Sequence, residues 1–134
     1  MSYLIDSDWL IDYLADLPAA HELLESLFDA GVAMSIISYV EVYEGIEGGT
    51  NPDAEARFER LLAGTPLLNV SPVIAKRCAR LRLSLRAQGK RVNQRSMDLL
   101  IASTALEDDL TLVTRNVHDY EDIPGLQLYA GAPP

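Results

Sequence analysis

Residues 3–14 read Tyr3-Leu4-Ile5-Asp6-Ser7-Asp8-Trp9-Leu10-Ile11-Asp12-Tyr13-Leu14. The first three form a short apolar run closed by an acid, the pattern of a strand buried on both faces. Trp9, Leu10, Tyr13 and Leu14 then recur at helical spacing. Strand followed by helix is the unit that repeats along the chain. Val32-Ala33-Met34-Ser35-Ile36 reads as a second strand, followed by a helix through Val40, Tyr43 and Ile46 that stops at Gly48-Gly49. Pro66 to Val70 reads as a third strand, and Ser71-Pro72 as the cap and first turn of a helix. That helix carries Ile74, Cys78, Leu81 and Leu85 on one seam and ends at Gln88-Gly89-Lys90. After a polar loop, Arg91 to Ser96, comes a helix from Met97 to Glu107 with small residues suited to packing on a sheet. Leu110 to Thr114 is a further strand and Leu126 to Tyr129 the last. Two more helices are marked by Pro18, ahead of Leu23, Leu24, Leu27 and Phe28, and by Asn51-Pro52-Asp53, ahead of Phe58, Leu61 and Leu62. Strands alternating with helices imply a parallel sheet covered on both faces, an α/β fold. One domain is expected over 1–130, with a frayed tail at 131–134.

Composition agrees. A chain of 134 residues with 49% hydrophobic and 23% charged residues can bury a core without staples, which excludes disorder and a disulfide scaffold. A lone cysteine, Cys78, forms no internal bridge and sits on an apolar seam, so a reducing, cytoplasmic setting is expected. No stretch reaches the ~18 apolar residues of a membrane span, and the acids near the start do not suit a signal peptide. Twenty acids against eleven bases give a formal charge of -9, which argues against passive binding to nucleic acid or an anionic membrane. Eight of those bases nevertheless fall between Lys76 and Arg95, a stretch without a single acid.

In a parallel α/β sheet, ligands bind outside the carboxyl ends of the strands. Four acids far apart in sequence are expected there. Asp6 closes the first strand, Glu41 belongs to the first turn of the helix after the second, Asp98 to the first turn of the helix before the fourth, and Asp119 lies just past that strand. Each has an ordinary reading alone: Asp6 as a helix cap, Glu41 in a Ser38-x-x-Glu41 capping box, Asp98 at a helix dipole, Asp119 in a turn. Asp12 reads as an exposed helix acid near the same edge. Jointly the acids point to chemistry. At an effective dielectric near 20, two carboxylates about 4 Å apart repel by about 4 kcal/mol, so convergence calls for cations or shared protons. Oxygen ligands without a His or Cys cluster suit Mg²⁺ or Mn²⁺ rather than zinc.

Four segments carry a resemblance. Leu4 to Asp12 is similar to the opening of PIN-domain proteins, and Ser38-Tyr39-Val40-Glu41 resembles their second acidic motif. Asp98 to Ala105 resembles the third, and Leu112 to Tyr120 the closing one, with Ile123-Pro124-Gly125-Leu126 as its sequel. The small size looks most like VapC toxins of toxin–antitoxin pairs. The resemblance implies a three-layer α/β/α sandwich around a five-stranded sheet. It also implies a Mg²⁺- or Mn²⁺-dependent endoribonuclease, a cognate VapB-type antitoxin and a homodimer. Asp6, Glu41 and Asp98 match the family's three core acids. Asp119 is taken as the fourth, with Asn116 as a neutral ligand or substrate contact. Asp109 stands where relatives commonly have glycine, and aspartate tolerates the left-handed backbone expected there.

On this reading Asp6, Asp98, Glu41 and Asp119 are both catalytic and metal-ligating, and Ser7 and Thr114 support them. Arg82, Arg86, Arg91, Arg95 and Arg115 are expected to follow the RNA phosphates. Two alternatives stay open: a haloacid-dehalogenase-like phosphatase with Asp6 as nucleophile, and an inactive PIN-fold binding module.

Overall fold

The computed structural model describes residues 2–131. The expected frayed tail therefore lies, Gly131 apart, outside the described residues. The elements are β1 (Tyr3–Ile5), α1 (Ser7–Leu14), α2 (Pro18–Leu27), β2 (Val32–Ser35), α3 (Ile36–Gly48), α4 (Ala54–Ala63), β3 (Leu67–Leu68), α5 (Pro72–Ala87), α6 (Ser96–Glu107) and β4 (Thr111–Val113).

The strands lie in the order β3-β2-β1-β4, and every pairing is parallel. Side chains alternate between the two faces of a strand. Leu4, Ala33 and Leu112 thus point into one core, with Cys78 and Leu85 of α5 and Leu99, Ala102 and Ala105 of α6. Ile5, Val32, Met34 and Val113 point into the other, with Trp9, Leu23, Leu24, Val42 and Phe58 from α1 to α4. Helices on both faces make the expected three-layer sandwich. Cys78 is a buried free thiol, as its seam implied.

The sheet has four strands where five are expected. Thr111 and Val113 turn their backbone groups toward β1, through Thr111 N to Ser2 O and Asp6 N to Val113 O. A three-residue strand then leaves only its central residue facing outward. Leu112 accordingly forms one bridge with Leu128, through Leu112 N to Gln127 O and Tyr129 N to Leu112 O. β3 shrinks for a related reason. Met34 and Ser35 pair with Leu67 and Leu68, and β2 ends there because Ser35 caps α3, so residues beyond Leu68 have no partner strand.

That cap also corrects the expected capping box. Ser35 Oγ accepts from Ile37 N at 3.0 Å, and Ser38 is buried inside the helix. Glu41 therefore sits in the second turn of α3, not the first. The expected caps at Ser71 and Pro72 are present, Ser71 Oγ accepting from Ile74 N at 3.2 Å. Asp109 adopts a positive φ of 54°, the left-handed conformation expected of it. The polar loop before α6 includes a short 3-10 turn, Asn93–Arg95, and buries Val92.

Candidate metal centre

The carboxyl ends of β1 and β4 lie side by side, Ile5 paired with Val113. Asp6 follows β1 directly and caps α1, its Oδ1 accepting from Ser7 N at 2.8 Å. Its Oδ2 accepts from Thr114 Oγ1 at 2.8 Å and from the Tyr120 hydroxyl at 3.1 Å. Asp6 is only 5% exposed. Burial first, and the neighbouring Asp8 charge second, push its carboxyl up to about 6, against the opposing pull of these hydrogen bonds.

Asp98 enters from the first turn of α6 and accepts from the same Tyr120 hydroxyl at 3.1 Å. Burial raises its carboxyl above the ordinary range; the Tyr120 hydrogen bond opposes this and the Asp119 charge adds to it. Glu41 reaches the group through Ser7, whose Oγ donates to Glu41 Oε1 at 2.6 Å. The acids are thus joined through donors: Ser7 links Asp6, by its backbone N, to Glu41, by its hydroxyl, and the Tyr120 hydroxyl links Asp6 to Asp98. Asp119 lies on an exposed 3-10 turn, Val117–Asp119, near enough for its charge to act on Asp98. Asn116 begins that turn, and its backbone N donates to Thr114 Oγ1 at 3.1 Å. The structure therefore joins Asp6, Asp98, Glu41, Ser7 and Thr114 in one bonded network. Asp119 and Asn116 flank it without bonded carboxylate or amide groups among the described residues.

The oxygen-only donor set suits a hard divalent cation. No His, Lys or Arg pairs with the carboxylates of Asp6, Asp98 or Glu41 among the described residues, so their negative charge is not compensated from within the bonded network. Among the described residues no three His, Cys, Asp or Glu side chains stand close enough together to hold a metal ion as they are. The acids fit a cation by their oxygen chemistry, and the Tyr120 hydroxyl bonds both Asp6 and Asp98.

The basic residues divide. Arg82 donates to Val92 O, Asn93 Oδ1 and Ser96 Oγ, and Arg86 donates to Asn93 Oδ1, clasping α5 to the loop before α6. Arg95 is held by Asp122, at 2.7 and 2.9 Å, and donates to Asp119 O at 2.8 Å. Arg95 and Lys90 hold the Asp122 carboxyl down to about 2. Arg115 pairs with Asp12, which is half-buried rather than exposed, and lies 4.3 Å over the Trp9 ring. Arg91 is exposed and its side chain makes no bond among the described residues.

Sequence reasoning missed three contributors. Asp8 accepts from Arg115 N at 2.8 Å, and burial raises its carboxyl. Asp122 anchors Arg95. Tyr120 is the third: a tyrosine at a core position buries a polar tip that needs a partner, but the exposed polar residues on either side of it do not mark this position as core. Burial and the two acids hold its phenol firmly protonated.

A parallel α/β sandwich with clustered acids at the carboxyl edge of its central strands defines the class: a three-layer domain with a candidate divalent-metal centre. The family model described as PIN domain matches residues 3–125, and the chain belongs to that family. A relative from Mycobacterium tuberculosis, Ribonuclease VapC10, is 34% identical over 85% of this chain and 82% of its own length. Among solved structures, a toxin–antitoxin complex from Klebsiella pneumoniae is 30% identical, covering 93% of this chain and 95% of that one, with a TM-score of 0.73. The VapBC-1 structure from nontypeable Haemophilus influenzae matches with 27% identity and a TM-score of 0.79, over 96% of this chain and 97% of that one. Membership of the PIN-domain family sets aside the phosphatase reading of Asp6-Ser7-Asp8. No helix among the described residues is long and apolar enough to cross a membrane.

Proposed function

We propose that this chain is a metal-dependent endoribonuclease of the VapC toxin type, working in the cytoplasm as a homodimer and neutralised by a cognate VapB-type antitoxin. The observation that carries the reading is the Asp6–Tyr120–Asp98 junction at the carboxyl edge of the sheet: a buried and a half-buried acid share one hydroxyl, with no paired cation among the described residues. Relatives named as VapC ribonucleases and neighbours solved as toxin–antitoxin complexes support the substrate and the partner.

Asp6 and Asp98 are assigned to hold Mg²⁺ or Mn²⁺, with Glu41 and Asp119 completing the set. What a divalent cation supplies there, when bound, is neutral charge balance, acidified water and a polarised phosphate. Ser7 fixes Glu41 by its Oε1, which leaves Oε2 to take a proton from the attacking water. Thr114 fixes Asp6 and, through Asn116 N, the turn that carries Asp119. Asn116 is assigned to contact the substrate. Arg91, and Arg115 from its pair with Asp12, are assigned to follow the phosphate backbone, while Arg82, Arg86 and Arg95 hold the surrounding loops.

Purified protein is expected to cut RNA in Mg²⁺, and chelator or one equivalent of cognate antitoxin is expected to stop it. RNA left intact in Mg²⁺ and Mn²⁺ alike overturns the reading in favour of an inactive binding module. The basic residues give a separate expectation. Arg91→Ala should lower the slope of log affinity against log salt by about 1 at unchanged melting temperature. Arg95→Ala should instead lower the melting temperature, because it frees Asp122 and Asp119 O. Salt titration of RNA binding beside thermal melts checks both, and an unaltered slope in Arg91→Ala removes that residue from the interface.

A further inference from the structure

Tyr120 is 1% exposed, and its ring belongs to the core beneath α5 and α6. Its backbone is fixed as well: Tyr120 N donates to Val117 O and Tyr120 O accepts from Ile123 N. The hydroxyl therefore has little freedom of position. It lies 3.1 Å from Asp6 Oδ2 and 3.1 Å from Asp98 Oδ1, so the two carboxyl oxygens stand no farther apart than twice that reach. A phenylalanine would fill the same core space. The oxygen matters only to the acids, because both of its bonds go to them. A phenol carries one proton, so a single donor serves two acceptors on segments far apart in sequence.

We propose that Tyr120 is a positioning residue: its hydroxyl spans Asp6 and Asp98 and holds both carboxylates in the orientation in which a divalent cation is received. The proposal rests on the metal-dependent reading above. Partners that orient metal ligands typically contribute 10–100-fold in metal affinity. Its neighbours have narrower roles. Thr114 bonds Asp6 and not Asp98, and Ser7 bonds Asp6 and Glu41. Within this network Tyr120 alone joins the two acids assigned to the principal ion.

The test is Mn²⁺ binding by Tyr120→Phe, measured by electron paramagnetic resonance of the free ion, with no RNA present. The ring is retained, so circular dichroism and the melting temperature in chelator should stay close to wild type. The Mn²⁺ dissociation constant is expected to rise about 10–100-fold. Wild type should also give a tyrosine ultraviolet difference signal on Mn²⁺ addition that the variant lacks, since the ion's charge acts on the two carboxylates that accept from that hydroxyl. Equal or tighter Mn²⁺ binding by the variant overturns the role of Tyr120 and leaves the acidic centre standing. A wild type that binds no Mn²⁺ takes down the metal-dependent reading and this proposal together.

Discussion

Asp98→Asn is expected to lower RNA cleavage by about a thousandfold while leaving the fold intact. Asparagine keeps the shape of aspartate and retains a carbonyl oxygen for the Tyr120 hydroxyl, so the first turn of α6 has no reason to move. What it loses is charge. A carboxylate that holds a catalytic cation lowers the barrier by several kcal/mol, and each 1.36 kcal/mol is a factor of ten. Initial rates on a labelled RNA, measured with wild type and variant at equal folded concentration, check this. A loss below tenfold places Asp98 outside the chemistry. Asp119→Asn should cost less, because Asp119 lies exposed on its turn and its carboxylate has no bonded partner in the network among the described residues.

Stability in the absence of cations should fall as pH rises, a direction set by Asp6. Its carboxyl sits at about 6 in the folded chain against an ordinary 3.8. A raised value means that the fold favours the protonated acid. The stability it contributes is complete below about pH 3.8 and is lost as pH climbs through 6. The difference is worth about 3 kcal/mol for a group this buried, a large share of a small domain's stability. Asp8 and Asp98, also raised, act in the same direction. Asp122 acts oppositely, but its carboxyl lies near 2, so its contribution is lost only in stronger acid. Urea unfolding in chelator between pH 4 and 7 should therefore show declining stability, flattened in Asp6→Asn. Adding Mg²⁺ or Mn²⁺ at pH 7 should restore what is lost. A chain equally stable at pH 4.5 and 7 in chelator contradicts the unbalanced carboxylates.

The alternation of apolar runs with helical periodicity carried the architecture well, because β1, β2 and β4 are buried on both faces and their residues show it; β3, at the sheet edge, leaves Leu67 exposed. Strand length was not legible. β3 stops where β2 becomes a helix cap, and the segment after Gly125 finds only Leu112 to pair with. Those limits belong to partner strands, which a local pattern does not contain. The same applies to Glu41, displaced by a turn because Ser35 rather than Ser38 caps α3. Asp6 and Asp98 were placed correctly at the rim by topology alone. The junction between them was not, since nothing in the run His118-Asp119-Tyr120 says that the aromatic turns inward while both neighbours face solvent. The basic segment misled in part: four of its arginines, Arg77, Arg82, Arg86 and Arg95, are occupied within the molecule, and charge counting does not distinguish them from a free one such as Arg91.

A crystal of the protein soaked in Mn²⁺ and measured at the manganese edge tests the central assignment most directly. An anomalous peak in contact with both the Asp6 and Asp98 carboxylates is the predicted result. Manganese bound elsewhere, with those two acids still joined only through Tyr120, would contradict it.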